Sequence, residues 1–226
     1  MCRIVAFKSD IKMNTEPFLN YLAFISKYGY NYPHRDGYGY VIFDELNSWT
    51  FRSLNCIYEE EKIDSKMANA GIFHSRKAST SNGYKPRFNH VHPFTGIANG
   101  INYAFVHNGT INNFSDYPGE IDTQKYFRIL LSNLINQSPD EALKSTSDFI
   151  SERYKYTSLI SVLTDYKDIW CIKKVYDEHD YKHDLFLIEF NNFKMITSEK
   201  VEEKFCYFDV NPLRCRRIPN GKVIKL

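Results

Sequence analysis

Apolar and polar residues follow two different periods along this 226-residue chain, and each change of period marks a boundary between predicted strands and helices. Short apolar runs predict strands in the first half of the chain. These runs directly follow Cys2 and then occupy residues 40–43, 49–54, 71–74 and 103–106. A first helix is predicted from about residue 15 to Gly29, because apolar residues recur there at helical spacing behind the early Pro17.

Two further helices are predicted in the middle of the chain. One extends from residue 122 or 123 to 136, and the other begins at Ser138, which has the spacing of a capping box with Glu141. After residue 158 the period changes again and predicts a series of strands. They are expected over 159–163, 169–175, 185–190 and 193–197 and twice more near the end, with Asn191-Asn192 and Asn220-Gly221 as hairpin connections. This order of strands, helices and strands favours an α+β fold with largely antiparallel sheets.

The composition limits the architecture and the partners. No linker-like or repetitive tract interrupts the sequence, which predicts a single domain over residues 1–226. Residues 80–100 contain glycines and prolines without a sustained period, and they are predicted to form an irregular segment that is functional or mobile. The formal net charge is only +2, so a nucleic-acid partner is not expected. The basic run at 214–217 is interpreted as an exposed strand whose charges discourage edge pairing.

The same composition bears on the cellular compartment. No run approaches eighteen consecutive apolar residues, and the N-terminus lacks the apolar core of a signal peptide, so no membrane partner is expected. The five cysteines are odd in number and scattered, without the paired spacing of a zinc site or a redox couple. We therefore predict a reducing, cytoplasmic location. The histidines show no ligand set with defined spacing, so neither a metal nor another cofactor is expected.

Cys2 is the first candidate for chemistry. If the initiator Met1 is removed, Cys2 carries a thiol and an unblocked α-amino group, whose ordinary pKa values of about 8.5 and about 7.7–8.0 let both act near neutral pH. Nucleophilic catalysis requires such a pairing of a weak nucleophile with a base. Taken alone, a cysteine at this position is more simply explained as an accident of a frayed terminus.

The other candidates follow predicted strands or begin a helix. The Asn108 side-chain amide and the Gly109 backbone N–H can donate to an oxyanion, although Asn-Gly is also a common turn sequence. Arg76 can bind a carboxylate through two parallel hydrogen bonds, although a surface ion pair is the simpler interpretation of a single arginine. Asp122 can bind an ammonium group or cap the helix that begins there.

The order and context of these residues resemble the class II glutamine amidotransferase domain of the N-terminal nucleophile hydrolases, in its small stand-alone form. Four motifs carry the resemblance. They are Met1-Cys2 before a strand, residues 74–79 (His-Ser-Arg-Lys-Ala-Ser) and 105–110 (Phe-Val-His-Asn-Gly-Thr) after strands, and Asp122-Thr123 at a helix start. The likeness extends to about residue 200, where residues 197–200 (Thr-Ser-Glu-Lys) are similar to a late Ser-Glu turn of the family. The resemblance implies an αββα four-layer sandwich of two mainly antiparallel sheets between helical layers.

The resemblance also implies a reaction. Cys2 would attack the γ-carbonyl carbon of a glutamine-like amide, and its own α-amino group would move the proton. Asn108 and Gly109 would form the oxyanion hole. A γ-glutamyl thioester on Cys2 would release ammonia or an amine, and water would then release glutamate.

Three substrate-binding residues are implied in the same way. Arg76 would bind the α-carboxylate of a glutamine or γ-glutamyl small molecule, with Ser79 beside it. Asp122 would bind the α-ammonium group.

The resemblance leaves three functions open, because no synthase domain follows in the sequence. The chain hydrolyses glutamine or a γ-glutamyl compound, or it is a glutaminase subunit that supplies ammonia to a separate synthase chain, or it is a non-catalytic γ-glutamyl-binding module on the same fold. The sequence also departs from the family. Lys77 replaces a tryptophan of the members that make amino sugars, and Tyr38 replaces a tryptophan of the small single-domain members.

Overall fold

The computed structural model of the chain describes residues 2–30, 33–78, 86–177 and 182–226. The chain forms two compact units, each built from two stretches of sequence. The first unit comprises Met1–Pro93 and Asp184–Arg217, and the second comprises Phe94–His183 and Ile218–Leu226. Each unit is therefore completed by a later stretch of the chain. The single domain expected over residues 1–226 stays a prediction.

Strands and a few helices make up the regular structure of the described residues. The strands are β1 (Arg3–Asn14), β2 (Tyr38–Phe43), β3 (Ser48–Ser53), β4 (Met67–Ser75), β5 (Phe94–Ala98), β6 (Ile101–Asn108), β7 (Ile160–Thr164), β8 (Ile169–Ile172), β9 (Phe186–Glu189), β10 (Phe193–Thr197), β11 (Arg214–Arg217) and β12 (Val223–Lys225). The α-helices are α1 (Glu16–Tyr28), α2 (Asp122–Asn133) and α3 (Pro139–Arg153). Short 3-10 helices occupy Ile57–Glu59, Phe88–His90 and Glu202–Phe208. None of the helices in the described ranges is long and apolar enough to cross a membrane.

The first unit contains an antiparallel sheet of seven strands in its described residues, with β1 at the centre. The strand order is β11-β9-β10-β1-β4-β2-β3. Arg3 of β1 lies opposite Ser75 of β4, and Val5 lies opposite Thr197 of β10. Cys2, the residue before β1, is therefore placed beside the point where β4 ends.

Helix α1 packs its apolar face on β1 and β4. Pro17 lies in the first turn, where a backbone N–H has no partner within the helix, so the N–H that proline lacks costs no hydrogen bond. The ring of the buried Phe18 stacks on Phe7 of β1, with 3.9 Å between the ring centroids. The aromatic cluster around Phe18 continues through Phe73, Phe193 and Phe208. The helix predicted behind Pro17 is thus confirmed.

The second unit contains an antiparallel sheet of five strands in its described residues, in the order β12-β8-β7-β6-β5. Helix α2 packs on β5 and β6, and α3 packs on β8 and β12. The Phe105 ring of β6 stacks on Phe127 of α2, with 5.2 Å between the centroids. The predicted capping box is present at the start of α3, where the Ser138 backbone N–H donates to the Glu141 carboxylate at 3.1 Å. The α+β class with antiparallel sheets is confirmed in both units.

Two details of the sequence prediction are wrong. The hairpin predicted at Asn220-Gly221 does not form, because the flanking strands β11 and β12 belong to different sheets. The Gly221 N–H instead donates to the Lys173 carbonyl oxygen at 2.7 Å. Part of the segment 80–100, predicted to be irregular, forms β5, while residues 80–85 of that segment lie outside the described residues. This short edge strand has Gly96 at its centre and an exposed Ile97, so it lacks the alternating pattern of a half-buried strand.

The basic run at 214–217 forms the outermost strand of the seven-stranded sheet, β11. Its three arginines, Arg214, Arg216 and Arg217, are exposed. The predicted exposed strand with charged residues at a sheet edge is therefore confirmed.

We expect Phe18→Ala to lower the free energy of unfolding by about 3–5 kcal/mol, because it removes a fully buried ring and leaves a cavity against Phe7. Urea denaturation at constant pH measures the loss. The matched control is Leu46→Ala in the β2–β3 turn of the same unit, where the side chain is 88% exposed and the change is expected to stay within about 0.5 kcal/mol. Equal losses in the two variants would contradict this description of the core.

Candidate active site

The Cys2 thiol is held at the end of β4. Cys2 is 8% exposed and directly precedes β1. The Lys77 backbone N–H donates to the Cys2 Sγ at 3.4 Å, and the thiol donates to the Lys77 carbonyl oxygen at 3.6 Å. The thiol is therefore fixed by backbone groups from a distant part of the chain and does not belong to a frayed terminus.

Arg76 follows β4 directly and lies one position from the Lys77 contacts of Cys2. Its guanidinium is largely buried, and its backbone is braced by the loop before β2. The Arg76 N–H donates to the Gly37 carbonyl oxygen at 2.8 Å, and the Asp36 N–H donates to the Arg76 carbonyl oxygen at 3.2 Å. The Asp36 carboxylate accepts from the Ala78 N–H at 2.7 Å. Within the first unit, the structure thus brings Cys2 and Arg76 together on adjoining strand ends.

Asn108 and Gly109 end β6 in the second unit, and the neighbouring Ser158 determines their backbone. Asn108 is fully buried, and the Ser158 hydroxyl donates to its carbonyl oxygen at 2.9 Å. Gly109 has a φ of +151°, and a Cβ at this position would overlap the Ser158 carbonyl oxygen. Only glycine fits here, so the Asn-Gly pair is more than an ordinary exposed turn.

His107 connects this strand end to the start of α2. One ring nitrogen, Nε2, lies 3.3 Å from the Ser158 carbonyl oxygen, and the other, Nδ1, lies 3.1 Å from the Thr123 Oγ1. A carbonyl oxygen can only accept, so Nε2 carries the proton and Nδ1 accepts from the Thr123 hydroxyl in the neutral ring. Burial lowers the pKa of His107 from its ordinary value, against the opposing effect of Asp122. A neutral His107 therefore joins the two segments.

Asp122 is the first residue of α2 and ties the helix to the turn that follows Gly109. Its Oδ2 accepts from the Ile111 N–H at 2.9 Å, and its Oδ1 accepts from the Thr123 N–H at 2.8 Å. The N-cap position itself belongs to Ile121, and the Gln124 side chain accepts from the Ile121 N–H at 3.4 Å. Each carboxylate oxygen has a second lone pair, so Asp122 retains acceptor capacity for a cation.

The sequence-predicted residues thus fall into two groups. Cys2 and Arg76 adjoin one another in the first unit, and Asn108, Gly109 and Asp122 lie close together in the second. Ser79 lies outside the described residues. The roles assigned to these residues stay predictions.

Arg3 and Ser158 also belong to these surroundings and were not predicted from the sequence, whereas Glu199 lies in the 197–200 turn that carried part of the resemblance. Arg3 offered a signal, since a charge inside an apolar strand run must find partners when the strand is buried. Nothing in the sequence pointed to Ser158, because the residue to which its hydroxyl donates, Asn108, is far away in sequence. Within the described ranges, no group of three or more His, Cys, Asp or Glu side chains is placed to hold a metal ion.

Comparison with known proteins identifies the family. The sequence profile described as "Glutamine amidotransferases class-II" matches residues 1–171, and the chain belongs to this family. A curated relative is the Escherichia coli (strain K12) protein named "Putative glutamine amidotransferase YafJ", which is 24% identical over 151 residues that make up 62% of this chain and 57% of the relative. The resemblance noted in the motifs is therefore confirmed.

Two solved structures share the fold. An allosteric regulatory enzyme of purine biosynthesis has a TM-score of 0.70 at 15% identity, over 99% of this chain and 46% of the enzyme. A predicted glutamine amidotransferase from Pseudomonas aeruginosa PA01 has a TM-score of 0.62 at 15% identity, over 99% of this chain and 96% of that protein. The chain thus spans about half the length of the first structure and of the curated relative. The family is one of glutamine amidotransferase enzymes, consistent with hydrolysis of the glutamine amide.

We expect Gly109→Ala to lower the free energy of unfolding by about 1–3 kcal/mol more than Gly100→Ala, because the new Cβ overlaps a fixed carbonyl group. Gly100, in the β5–β6 turn of the same unit, also has a positive φ but has open space around a Cβ, so its loss is limited to about 1–2 kcal/mol of backbone strain. Urea denaturation of both variants provides the comparison. Equal losses would show that the 109–111 turn moves freely away from Ser158.

We expect His107 to make the protein less stable as the pH falls below the ordinary histidine pKa of 6.5. Burial lowers the pKa of His107, so below that value the unfolded chain binds a proton that the folded chain does not. The stability is therefore fully present above pH 6.5 and is lost as the pH falls toward the folded-state pKa. His107→Gln should show a shallower fall in urea midpoint between about pH 7 and 5 than the parent protein. Identical slopes would exclude His107 as the cause.

Proposed function

We propose that this protein hydrolyses the γ-amide of glutamine or of a γ-glutamyl compound through a thioester on Cys2. The observation that carries the proposal is the placement of the Cys2 thiol, held by the Lys77 backbone at 3.4 Å beside Arg76. Membership of the class II glutamine amidotransferases supports the same chemistry.

The proposed first step forms the thioester. The α-amino group of Cys2, unblocked once Met1 is removed, accepts the thiol proton as the sulfur attacks the γ-carbonyl carbon. Asn108 and Gly109 donate N–H groups to the oxygen that becomes negative, which is usually a large part of the rate enhancement in acyl transfer. The carbon–nitrogen bond then breaks, and the leaving nitrogen takes the proton back from the ammonium group.

The proposed second step releases the product. Water attacks the thioester carbonyl while the same amine accepts its proton. The carbon–sulfur bond breaks, glutamate leaves, and the thiolate regains the proton. A single residue thus supplies nucleophile, base and acid, as the pairing of a thiol with an α-amine permits.

The proposed substrate contacts use charge of opposite sign. Arg76, with Ser79 beside it, binds the α-carboxylate, for which the guanidinium fork is suited. Asp122 binds the α-ammonium group with the acceptor capacity that its two backbone hydrogen bonds leave. The compartment we propose is the cytoplasm, since a disulfide-forming environment would tend to cap a catalytic thiol.

A second function is favoured by one observation. The purine-biosynthesis enzyme that shares the fold is about twice as long as the region matched by this chain. We therefore keep the alternative of a glutaminase that supplies ammonia to a separate synthase chain. It differs from simple hydrolysis only in the fate of the released nitrogen.

We expect Cys2→Ala to abolish the release of glutamate, by about 1,000-fold or more, because the nucleophile is lost. The assay measures glutamate, ammonia and amine across a panel of glutamine and γ-glutamyl amides. The control is Cys206→Ser, which changes an exposed thiol in the 3-10 helix Glu202–Phe208 and should leave turnover unchanged. Intact mass should show Met1 absent and one adduct of an electrophilic glutamine analogue, which Cys2→Ala loses.

The remaining outcomes separate the alternatives. A rise in melting temperature with γ-glutamyl ligands, without turnover of any amide, would replace hydrolysis by a binding module. Weak ammonia release that a co-purifying protein strongly stimulates would favour the glutaminase subunit. A retained Met1 in active protein would overturn the role of the α-amino group.

A further inference from the structure

Arg3 is a charged residue inside an otherwise apolar strand. It stands between Cys2 and Ile4 at the start of β1, and it is 1% exposed. Burying a charge is costly unless hydrogen-bond acceptors and an opposite charge surround it. The neighbours of Arg3 supply both.

The guanidinium of Arg3 joins its own strand to three other parts of the first unit. Nη1 donates to the Cys2 carbonyl oxygen at 3.4 Å, and Nε donates to the Ile25 carbonyl oxygen near the end of α1 at 3.3 Å. Nη2 donates to the Tyr30 carbonyl oxygen and forms an ion pair with the Glu199 Oε2 at 2.6 Å. Five N–H donors in a rigid planar fork allow one side chain to make these contacts together.

Glu199 is held in place by more than the ion pair. Its two carboxylate oxygens lie 3.0 and 3.1 Å from the Tyr30 N–H, which donates to them. A Cβ at Gly29 would overlap this carboxylate, so the end of α1 leaves room for it. The preceding Ser198 accepts from the Ile4 N–H through its hydroxyl at 3.0 Å, and its own N–H donates to the Ile4 carbonyl oxygen at 3.0 Å. The 198–199 turn is therefore attached to β1 at both Arg3 and Ile4.

Stability alone does not explain an ion pair between a buried guanidinium and the partly exposed Glu199 carboxylate at this position. Apolar side chains of similar volume often replace such pairs with no loss of stability. A guanidinium instead imposes one geometry on the groups that it contacts, and one of those groups is the carbonyl of Cys2. The peptide unit of Cys2 is thus held from one side by Arg3, while the Cys2 thiol is held by Lys77.

We propose that Arg3, fixed by its ion pair with Glu199, is a positioning residue for the Cys2 nucleophile. The inference rests on the function proposed above. Arg3 touches neither the substrate nor the reacting atoms in this assignment. It limits rotation of the Cys2 backbone, and so fixes the direction of the sulfur and of the α-amino group toward the amide.

The electrostatic surroundings agree with this role. Burial lowers the pKa of Arg3 from its ordinary value, and the nearby charges of Glu199 and Cys2 raise it. The positive charge is therefore attracted both by the Glu199 carboxylate and by a Cys2 thiolate.

The test compares Arg3→Met, Arg3→Lys and Glu199→Gln with the parent protein. Methionine keeps much of the side-chain volume of arginine but has no N–H donors. Lysine keeps the positive charge but lacks the planar guanidinium. We expect kcat for glutamate release to fall by about 100-fold in Arg3→Met, as a displacement of about 1 Å in a nucleophile can cause. KM should change much less, and Arg3→Lys should lie between Arg3→Met and the parent protein.

The matched control is Arg217→Met. Arg217 forms an ion pair with the buried Asp184 in the same unit, but it lies on β11, at the opposite edge of the sheet from β3 and away from Cys2. Like Arg3→Met, Arg217→Met removes a partner of a carboxylate, in this case that of the buried Asp184. We expect it to lower the melting temperature without changing kcat of the folded protein. Circular dichroism confirms folding, and Glu199→Gln, the mildest change, carries the test if Arg3→Met fails to fold.

A second readout does not depend on the substrate. Iodoacetamide alkylation of Cys2 is followed by peptide mass relative to the exposed Cys206, at the same pH for every variant. We expect Cys2 to react several-fold faster in Arg3→Met and Glu199→Gln than in the parent protein and in Arg217→Met. Without the Arg3 contacts the backbone of Cys2 is free to move, which exposes a sulfur that is buried in the parent protein.

The two readouts distinguish the failure of this inference from the failure of the proposed function. If the parent protein turns over no amide, the proposed function fails, and faster Cys2 alkylation in the Arg3 variants still supports positioning. If the Arg3 variants lose melting temperature but keep kcat and the alkylation rate of Cys2, the role of Arg3 is structural only. That result would overturn the inference.

Discussion

A guanidinium enclosed in a protein core must have its donors satisfied and its charge balanced, and in this chain that requirement acts directly beside the candidate nucleophile. Arg3 meets it with the end of α1, the residue after that helix, and Glu199 in the turn after β10. The start of β1 is thereby joined to the end of α1 and to the turn after β10. These contacts surround the peptide unit of Cys2.

The two units apply similar local physics to their candidate residues. In each, a candidate residue stands at the end of a buried strand, and a partner far away in sequence contacts its side chain or its backbone. Lys77 holds the Cys2 thiol, and Ser158 holds Asn108. Strand ends suit this purpose because the hydrogen bonds of the sheet fix the backbone up to the last paired residue. The residues that follow are positioned by the strand but are not used by the sheet.

Much of the fold could be predicted from local patterns, because α1 and the capping box of α3 depend on residues close in sequence. The wrong hairpin at Asn220-Gly221 shows the limit of such patterns. A turn sequence indicates that the chain bends, but pairing across the sheet decides which strands it joins. The motifs identified the candidate residues, yet the ion pair between Arg3 and Glu199 could not be predicted, since the two residues are distant in sequence.

The central position of β1 also bears on how the protein becomes complete during synthesis. Strand β1 is made before both of its neighbours in the sheet, β4 and β10, and β10 is the tenth of the twelve described strands in chain order. Chains are made from the N-terminus at about 5–20 residues per second, so Cys2 waits without its final surroundings for on the order of ten seconds or more. Any removal of Met1 can occur while the terminus is still accessible. The Cys2 thiol meets Lys77 only after β4 has been made, and Arg3 meets Glu199 only after β10 has been made.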